Sequence, residues 1–247
     1  MSIRRLILLV FAVCISCKQQ APQRPAGTPA AVPQSQATVV TIRTTVEPEK
    51  KTYTHSLVIA GGKARHTGEL DAWRIFDTKA QTITFVDDMN KTIRVEKLQD
   101  AQRRRRAALA AALPPHYPRL SFKVTGAKKP LQGTTATQSV IDINGYHREL
   151  WLAEHPEIPE GLFAMMNASE RTTSPLAPMM RAVDEALMST RGFPMLDRAE
   201  ITYGNQKMVV ERSVVSIEKK NVAANALTAP QGYEDVTPKP APARKKP

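Results

Sequence analysis

Five histidines stand in the chain, at His55, His66, His116, His147 and His155. No two are spaced i, i+4, and no H-E-x-x-H motif is present, so a helical zinc pair is not formed. His147 and His155 lie either side of a strand beside Glu149 and Glu154. A zinc site needs three or four converging ligands, and surface histidines are the simpler expectation. Nucleophile chemistry is as sparse. The chain has no Gly-x-Ser-x-Gly elbow, no Ser-x-x-Lys and no phosphate loop of recognised spacing. The carboxylate pair Asp87-Asp88 falls in turn chemistry, and Gly61-Gly62 reads as a hairpin turn. No catalytic residue, metal or cofactor is therefore expected, and the chain is not read as an enzyme.

Two clusters remain that could bind rather than react. Arg103-Arg104-Arg105-Arg106 is the densest charge feature. At about 100° per helical residue the four spread around most of the circumference rather than forming one stripe. They are the expected contact for an anionic partner such as lipid head groups or acidic glycans, against the plainer reading of a solvated helix face. Nucleic acid is not expected: no aromatic residue lies between Leu98 and Pro115 to stack on bases. The second cluster is apolar. Six of the nine methionines fall within the 31 residues from Met165 to Met195, and methionine suits an adaptable apolar surface. Phe163, Met165, Met166, Met179, Met180, Val183 and Leu187 are the candidate residues for an apolar or lipid-like ligand. The alternative is that the same side chains plug the sheet as ordinary core.

These residues must be held by a folded body, and the patterning says which kind. The 247 residues carry 35 Lys+Arg against 23 Asp+Glu, a net charge of +12, with 42% hydrophobic residues and two cysteines. A polytopic membrane protein, a collagenous repeat and a disulfide scaffold are excluded by those figures. From Thr38 the apolar residues alternate with polar ones, as in Val40, Ile42 and Val46. Further strands are expected over Tyr53–Ala60, Leu70–Phe76, Gln81–Val86 and Thr92–Val95, the last two joined by the turn Asp87-Asp88-Met89-Asn90. Lys97–Leu113 reads as a helix closed by Pro114-Pro115. Its apolar stripe of Leu98, Ala101, Ala108 and Ala112 is thin and interrupted by Arg105, which places it on the surface. Strands resume at Arg119–Thr125, Thr134–Ile143 and Tyr146–Ala153, with Asn144-Gly145 as a tight turn. A helical stretch follows over 160–190, then two strands, Leu196–Tyr203 and Lys207–Lys219. Hairpins dominate, so the fold class is mainly β (α+β): a curved antiparallel sheet or open barrel with a helical insertion packed on its concave face.

The N-terminus indicates where the body resides. Arg4 and Arg5 precede the apolar run Leu6–Ile15, ten residues long, about half the roughly 20 needed to span a bilayer. Residues 1–16 read as a secretory signal peptide. Val13-Cys14-Ile15-Ser16-Cys17 followed by Lys18 resembles the lipobox of bacterial lipoproteins, with Cys14 standing where leucine is usual. The resemblance implies lipidation at Cys17, including palmitate, and anchorage in the cell envelope facing the periplasm. Lys18 in place of Asp favours the outer membrane over the inner. Residues 17–37 then read as a Pro- and Ala-rich tether, 38–233 as a single β-rich domain, and 234–247 as a basic, Pro-rich disordered tail. Both cysteines lie in the leader, so residues 18–247 hold no thiol for a disulfide, a metal or catalysis. Cleaving off Arg4 and Arg5 brings +12 down to +10.

The order of elements resembles the open barrel of bacterial lipoprotein carriers and their outer-membrane receptors. More closely it resembles a family of small periplasmic lipoprotein domains of unknown function. The resemblance rests on Phe76-Asp77 through Val86-Asp87 to Thr92-Ile93, Thr125-Gly126 with Gly133, Glu149-Leu150-Trp151, Gly192-Phe193-Pro194 and Pro230-Gln231-Gly232-Tyr233. It implies a fold and an apolar cavity but no reaction. The expected partners are the membrane, through the anchor, and an apolar ligand or another envelope protein docked on the basic helix.

Overall fold

The computed structural model describes residues 33–67, 72–111, 120–143, 145–169, 183, 187 and 191–238. The leader with Cys17, the tether up to residue 32, and Met179 and Met180 lie outside the described residues.

Turn chemistry sets the topology. β1 (Gln34–Glu47), β2 (Lys51–Ala60), β3 (Lys63–Thr67), β4 (Ala72–Asp77), β5 (Thr82–Asp87) and β6 (Thr92–Lys97) follow one another as an antiparallel meander. Gly61 and Gly62, at φ +61° and +86°, make the two-residue β2–β3 turn. The β4–β5 and β5–β6 turns share one design. Asp77 Oδ1 accepts the amides of Lys79 and Ala80, and Asp87 Oδ1 accepts those of Met89 and Asn90. Each turn closes on a residue at positive φ, Gln81 or Lys91.

α1 (Leu98–Ala111) leaves the meander. β7 (Ser121–Leu131), β8 (Thr134–Ile143) and β9 (Tyr146–Ala153) form a second meander, followed by α2 (Leu162–Ser169). β10 (Phe193–Tyr203) and β11 (Gln206–Ala223) return the chain to the centre, where β11 pairs with β1. A short β12 (Glu234–Asp235) lies parallel to β6. The result is one sheet in the order β12-β6-β5-β4-β3-β2-β1-β11-β10-β9-β8-β7, with no closure of β7 onto β6. It is the mainly β, open, curved antiparallel sheet with helices that the patterning implies.

Curvature follows from what α2 touches. β4 and β10 stand five strand positions apart, about 24 Å in a flat sheet. Yet α2, eight residues and about 12 Å long, contacts both. The sheet therefore wraps the helix. Its inner face supplies one core of Val40, Ile42, Leu57, Ile59, Phe76, Ile83, Ile141, Leu150 and Met195, joined by Leu162, Met165, Val183 and Leu187. Period-two alternation is what puts these residues on one side.

Three expectations need correction. Lys63–Thr67 is a strand that its sequence does not advertise, because Ala64 is its one buried side chain. Strand pairing supplied by β2 and β4 outweighs its polar composition. The tether and tail are shorter than composition suggests: Gln34–Ala37 pair with β11, and Glu234–Asp235 pair with β6. Finally, Arg105 does not interrupt the packed face of α1 but belongs to it, while Arg103, Arg104 and Arg106 stay exposed as on a surface helix. Ala101 and Arg105 are buried, and α1 packs on α2.

Candidate ligand-binding face

The inner face changes character along the strands. On one side of each boundary the residue is apolar, and two positions along the same strand it is polar. The pairs are Phe76 and Arg74 on β4, Ala64 and His66 on β3, Leu57 and His55 on β2, and Ile42 and Thr44 on β1. They continue with Val214 and Arg212 on β11, Met195 and Asp197 on β10, and Leu150 and Arg148 on β9. Residues i and i+2 of a strand share a face, so the polar members form a band beside the core.

Register shows how the band runs. Arg94, Phe85, Arg74 and His66 lie directly opposite one another across β6, β5, β4 and β3. Thr44, Arg212 and Asp197 do the same across β1, β11 and β10. His55 bridges the two rows: its Nε2 lies 2.7 Å from Thr44 Oγ1 and its ring centroid 5.8 Å from that of His66, edge to face. The band thus climbs the sheet diagonally, as strand tilt in a curled sheet requires.

Its cations are held in place. Arg94 and Arg74 flank the Phe85 ring, at 4.1 and 5.8 Å from its centroid. Arg74 Nη1 also donates to Ser169 Oγ at the end of α2, 3.0 Å away. Arg148 grips buried Asp197 with two parallel bonds of 2.8 Å, and Arg212 adds a third at 3.3 Å. Burial by itself would push the Asp197 carboxyl upward; the two guanidiniums outweigh it and hold the group below the usual carboxylate range. Tyr146, beneath the same pair, is raised by burial above all. His66 is pushed down to about 4, first by burial and then by His55, Arg74 and Arg212. It is neutral at physiological pH and half-buried, a correction to the expectation of plain surface histidines. His147 fits that expectation, pairing with Asp142 on the outer hairpin at 2.6 Å. His116 lies outside the described residues.

At the far end of β9 the face opens. A cleft of about 550 Å³ lies between the β9–α2 loop and the start of β10, with Ile158, Phe163 and Phe193 as its apolar wall and Glu154, His155 and Glu160 at its rim. Phe163 and Phe193 meet edge to face, 6.3 Å between centroids. Gly192 lets the wall form: its φ is +89°, and a Cβ there would sit 2.9 Å from the Ala153 carbonyl oxygen. A neighbouring cleft of about 440 Å³ shares Ala153 and Glu154 and adds Phe122, Val124 and Leu152.

Of the residues singled out for an apolar ligand, Phe163 lines the larger cleft. Met165, Val183 and Leu187 are buried in the core, and Met166 packs against it. The arginine run is divided. Arg103 pairs with Asp100, and Arg104 holds Glu96 by two bonds of 3.0 Å. Arg105 is buried and donates to the Asn167 carbonyl in the last turn of α2, where a cation offsets the helix dipole. Arg106 is exposed at its side chain and has a polar contact of its own. Sequence reasoning did not find Ile158, Phe193 or the Arg–His band. No local pattern announces the band, since its polar members fall on eight strands whose register is set by pairing. Among the described residues no group of three or more His, Cys, Asp or Glu is placed to hold a metal. No helix among them is long and apolar enough to cross a membrane.

No protein-family model and no curated protein matches the chain. Among solved structures it is similar to two crystal forms of PNGF-II. Identities are 13% and 11%, TM-scores 0.43 and 0.42, and each alignment covers 83% of this chain. The chain spans about a third of the length of those proteins, at 31% and 32%. At that level the likeness carries no functional argument.

Proposed function

We propose that the chain is a membrane-anchored envelope lipoprotein whose sheet body is a non-catalytic binding module for an apolar or lipid-like ligand. The observation that carries this reading is the cleft walled by Ile158, Phe163 and Phe193. Its volume, about 550 Å³, falls in the range of small-molecule sites, which are concave and mostly apolar with a few polar groups at the rim. Leu162 and Met165 of α2 are fully buried against the sheet, so the ligand is taken to enter from the β9–α2 loop. Lipid at Cys17, palmitate included, supplies the anchor: acyl chains contribute about 0.8 kcal/mol per buried methylene, and stable attachment takes more than one. An outer-membrane address facing the periplasm belongs to the same proposal.

Native mass spectrometry of the full chain, stripped of detergent, tests the ligand. A co-purified apolar small molecule is expected, and Ile158→Trp, which fills the cleft from a loop, should remove it. An empty protein in both cases would defeat the reading. Palmitate labelling tests the anchor separately, with label expected on the wild type and none on Cys17→Ser.

A second reading has an observation in its favour. Met165, Val183 and Leu187 are no more than 1% exposed, which favours these described residues of the insertion as packing and the protein as a docking lipoprotein. In that case the outward arginines of α1, led by Arg103, would meet another envelope component. Loss of cross-linking to envelope proteins in an Arg103→Glu variant would favour it over ligand binding.

A further inference from the structure

The Arg–His band lies about five residues along β9 from the cleft, roughly 16 Å at strand spacing, and needs its own explanation. Most charges on a soluble surface are dispersed and mixed in sign. Here four guanidiniums, from Arg74, Arg94, Arg148 and Arg212, line one side of a concave face. Among the described residues Arg148 and Arg212 hold Asp197, and Arg94 shares Glu96 with Arg104. His66 lies in the positive field of both Arg74 and Arg212, and a low-dielectric wall of core residues beside it concentrates that field.

The middle of the band has the donors an oxyanion wants. Arg212 stands opposite Thr44, whose hydroxyl meets His55 Nε2; the His55 ring abuts His66; and His66 stands opposite Arg74. Arg212 is nearly half exposed at its side chain, while His55, His66 and Arg74 are half-buried. Planar guanidiniums on either side of two imidazoles offer N–H groups from several directions, the arrangement that recognises a phosphate. The side chains are also pre-positioned, by Phe85, Ser169 and Asp197, so little is lost in ordering them.

We infer that Arg74, His66, His55 and Arg212 form a binding site for a phosphate group, separate from the apolar cleft. The same chemistry could come from a lipid head group or from free phosphate. The depressed His66 accords with this, since an anion seated there would restore its proton.

The test uses the full chain, with calorimetry and the ring-proton NMR signals of His55 and His66. Inorganic phosphate, dodecyl phosphate and dodecyl maltoside are titrated in parallel. Both phosphates should shift the two histidine signals and raise the apparent pKa of His66 from about 4; dodecyl maltoside should do neither. Tighter binding of dodecyl phosphate would make a lipid head group the source, and equal binding free phosphate; each supports the site. Arg212→Gln and Arg74→Gln should each weaken binding by about tenfold, the worth of one charge-assisted hydrogen bond. Arg212→Gln keeps the Arg148–Asp197 pair, and Arg74→Gln serves should that variant not fold. The site falls if neither phosphate moves the histidine signals, if dodecyl maltoside moves them equally, or if a folded variant binds as the wild type does.

Discussion

Folding takes the His66 ring out of water and sets it among His55, Arg74 and Arg212, so its pKa drops from 6.5 to about 4. The unfolded chain therefore binds the proton first as pH falls. The stability this neutral ring contributes is present above pH 6.5 and is lost as pH descends towards 4, by up to about 3 kcal/mol. His66→Gln should flatten the denaturant-derived stability across that window, and an unchanged slope would contradict the burial argument. Asp197 works in a lower window. Its carboxyl is held below the normal value, so its contribution is present above about pH 4 and fades as pH falls through the folded-state pKa. Asp197→Asn leaves Arg148 buried beside a neutral amide and should cost about 3 kcal/mol in urea unfolding at pH 7. None of this was legible in the residues themselves. His66 sits in Lys63–Thr67, where the sequence is polar at four of five positions; its surroundings come from pairing with β2 and β4 and from Arg212 on distant β11, none of which the polar pattern announces. Asp197 and Arg148 are 49 residues apart and become partners only because β9 and β10 align.

Elements were easier to read where a turn residue punctuates them. Asp87 to Lys91 and Gly61-Gly62 announce their hairpins in composition, and both turns are found. Helix α1 shows where composition misleads. Four consecutive arginines look like one solvated feature, yet the helical 100° step gives each a different neighbour. Arg105 faces α2 and donates to the Asn167 carbonyl, whereas Arg103 faces solvent. Arg105→Ala should therefore lower stability by about 2 kcal/mol, through loss of a charged hydrogen bond at a helix C-terminus and of buried side-chain packing. Arg103→Ala should leave the Tm unchanged, because an exposed i, i+3 pair contributes little. Thermal melts of the two single variants decide the matter, and equal effects would show that the run acts as a surface patch after all.

An open sheet carries two edges at the scale of the whole molecule, and each must be kept from pairing with another chain. β7 guards itself with Lys123, Lys128, Lys129 and Pro130 and with a register break around Gly126, where φ is +78°. β6 is guarded by a strap. Glu234 N donates to Lys91 O and Val236 N to Ile93 O, each at 2.9 Å, and Val95 N donates to Thr237 Oγ1 at 2.8 Å. Tyr233 fastens the strap to the outer face: its hydroxyl donates to one Asp88 oxygen while Trp73 Nε1 donates to the other. Arg65 lies 3.9 Å above the Trp73 ring and closes this small second core of Trp73, Ile75 and Val86. Ending the chain after Gly232 removes three edge hydrogen bonds and uncovers Trp73 together. Stability should fall by about 2–3 kcal/mol, Trp73 fluorescence should shift to the red, and the Val95 amide should lose its protection from hydrogen exchange. Tyr233→Phe retains the strand and deletes one hydroxyl, so it should cost about 1 kcal/mol with Val95 still protected. If truncation leaves Val95 protected, the edge is satisfied by something other than this strap. If Tyr233→Phe matches the truncation, the fastening lies in the Asp88 bridge rather than in the strand.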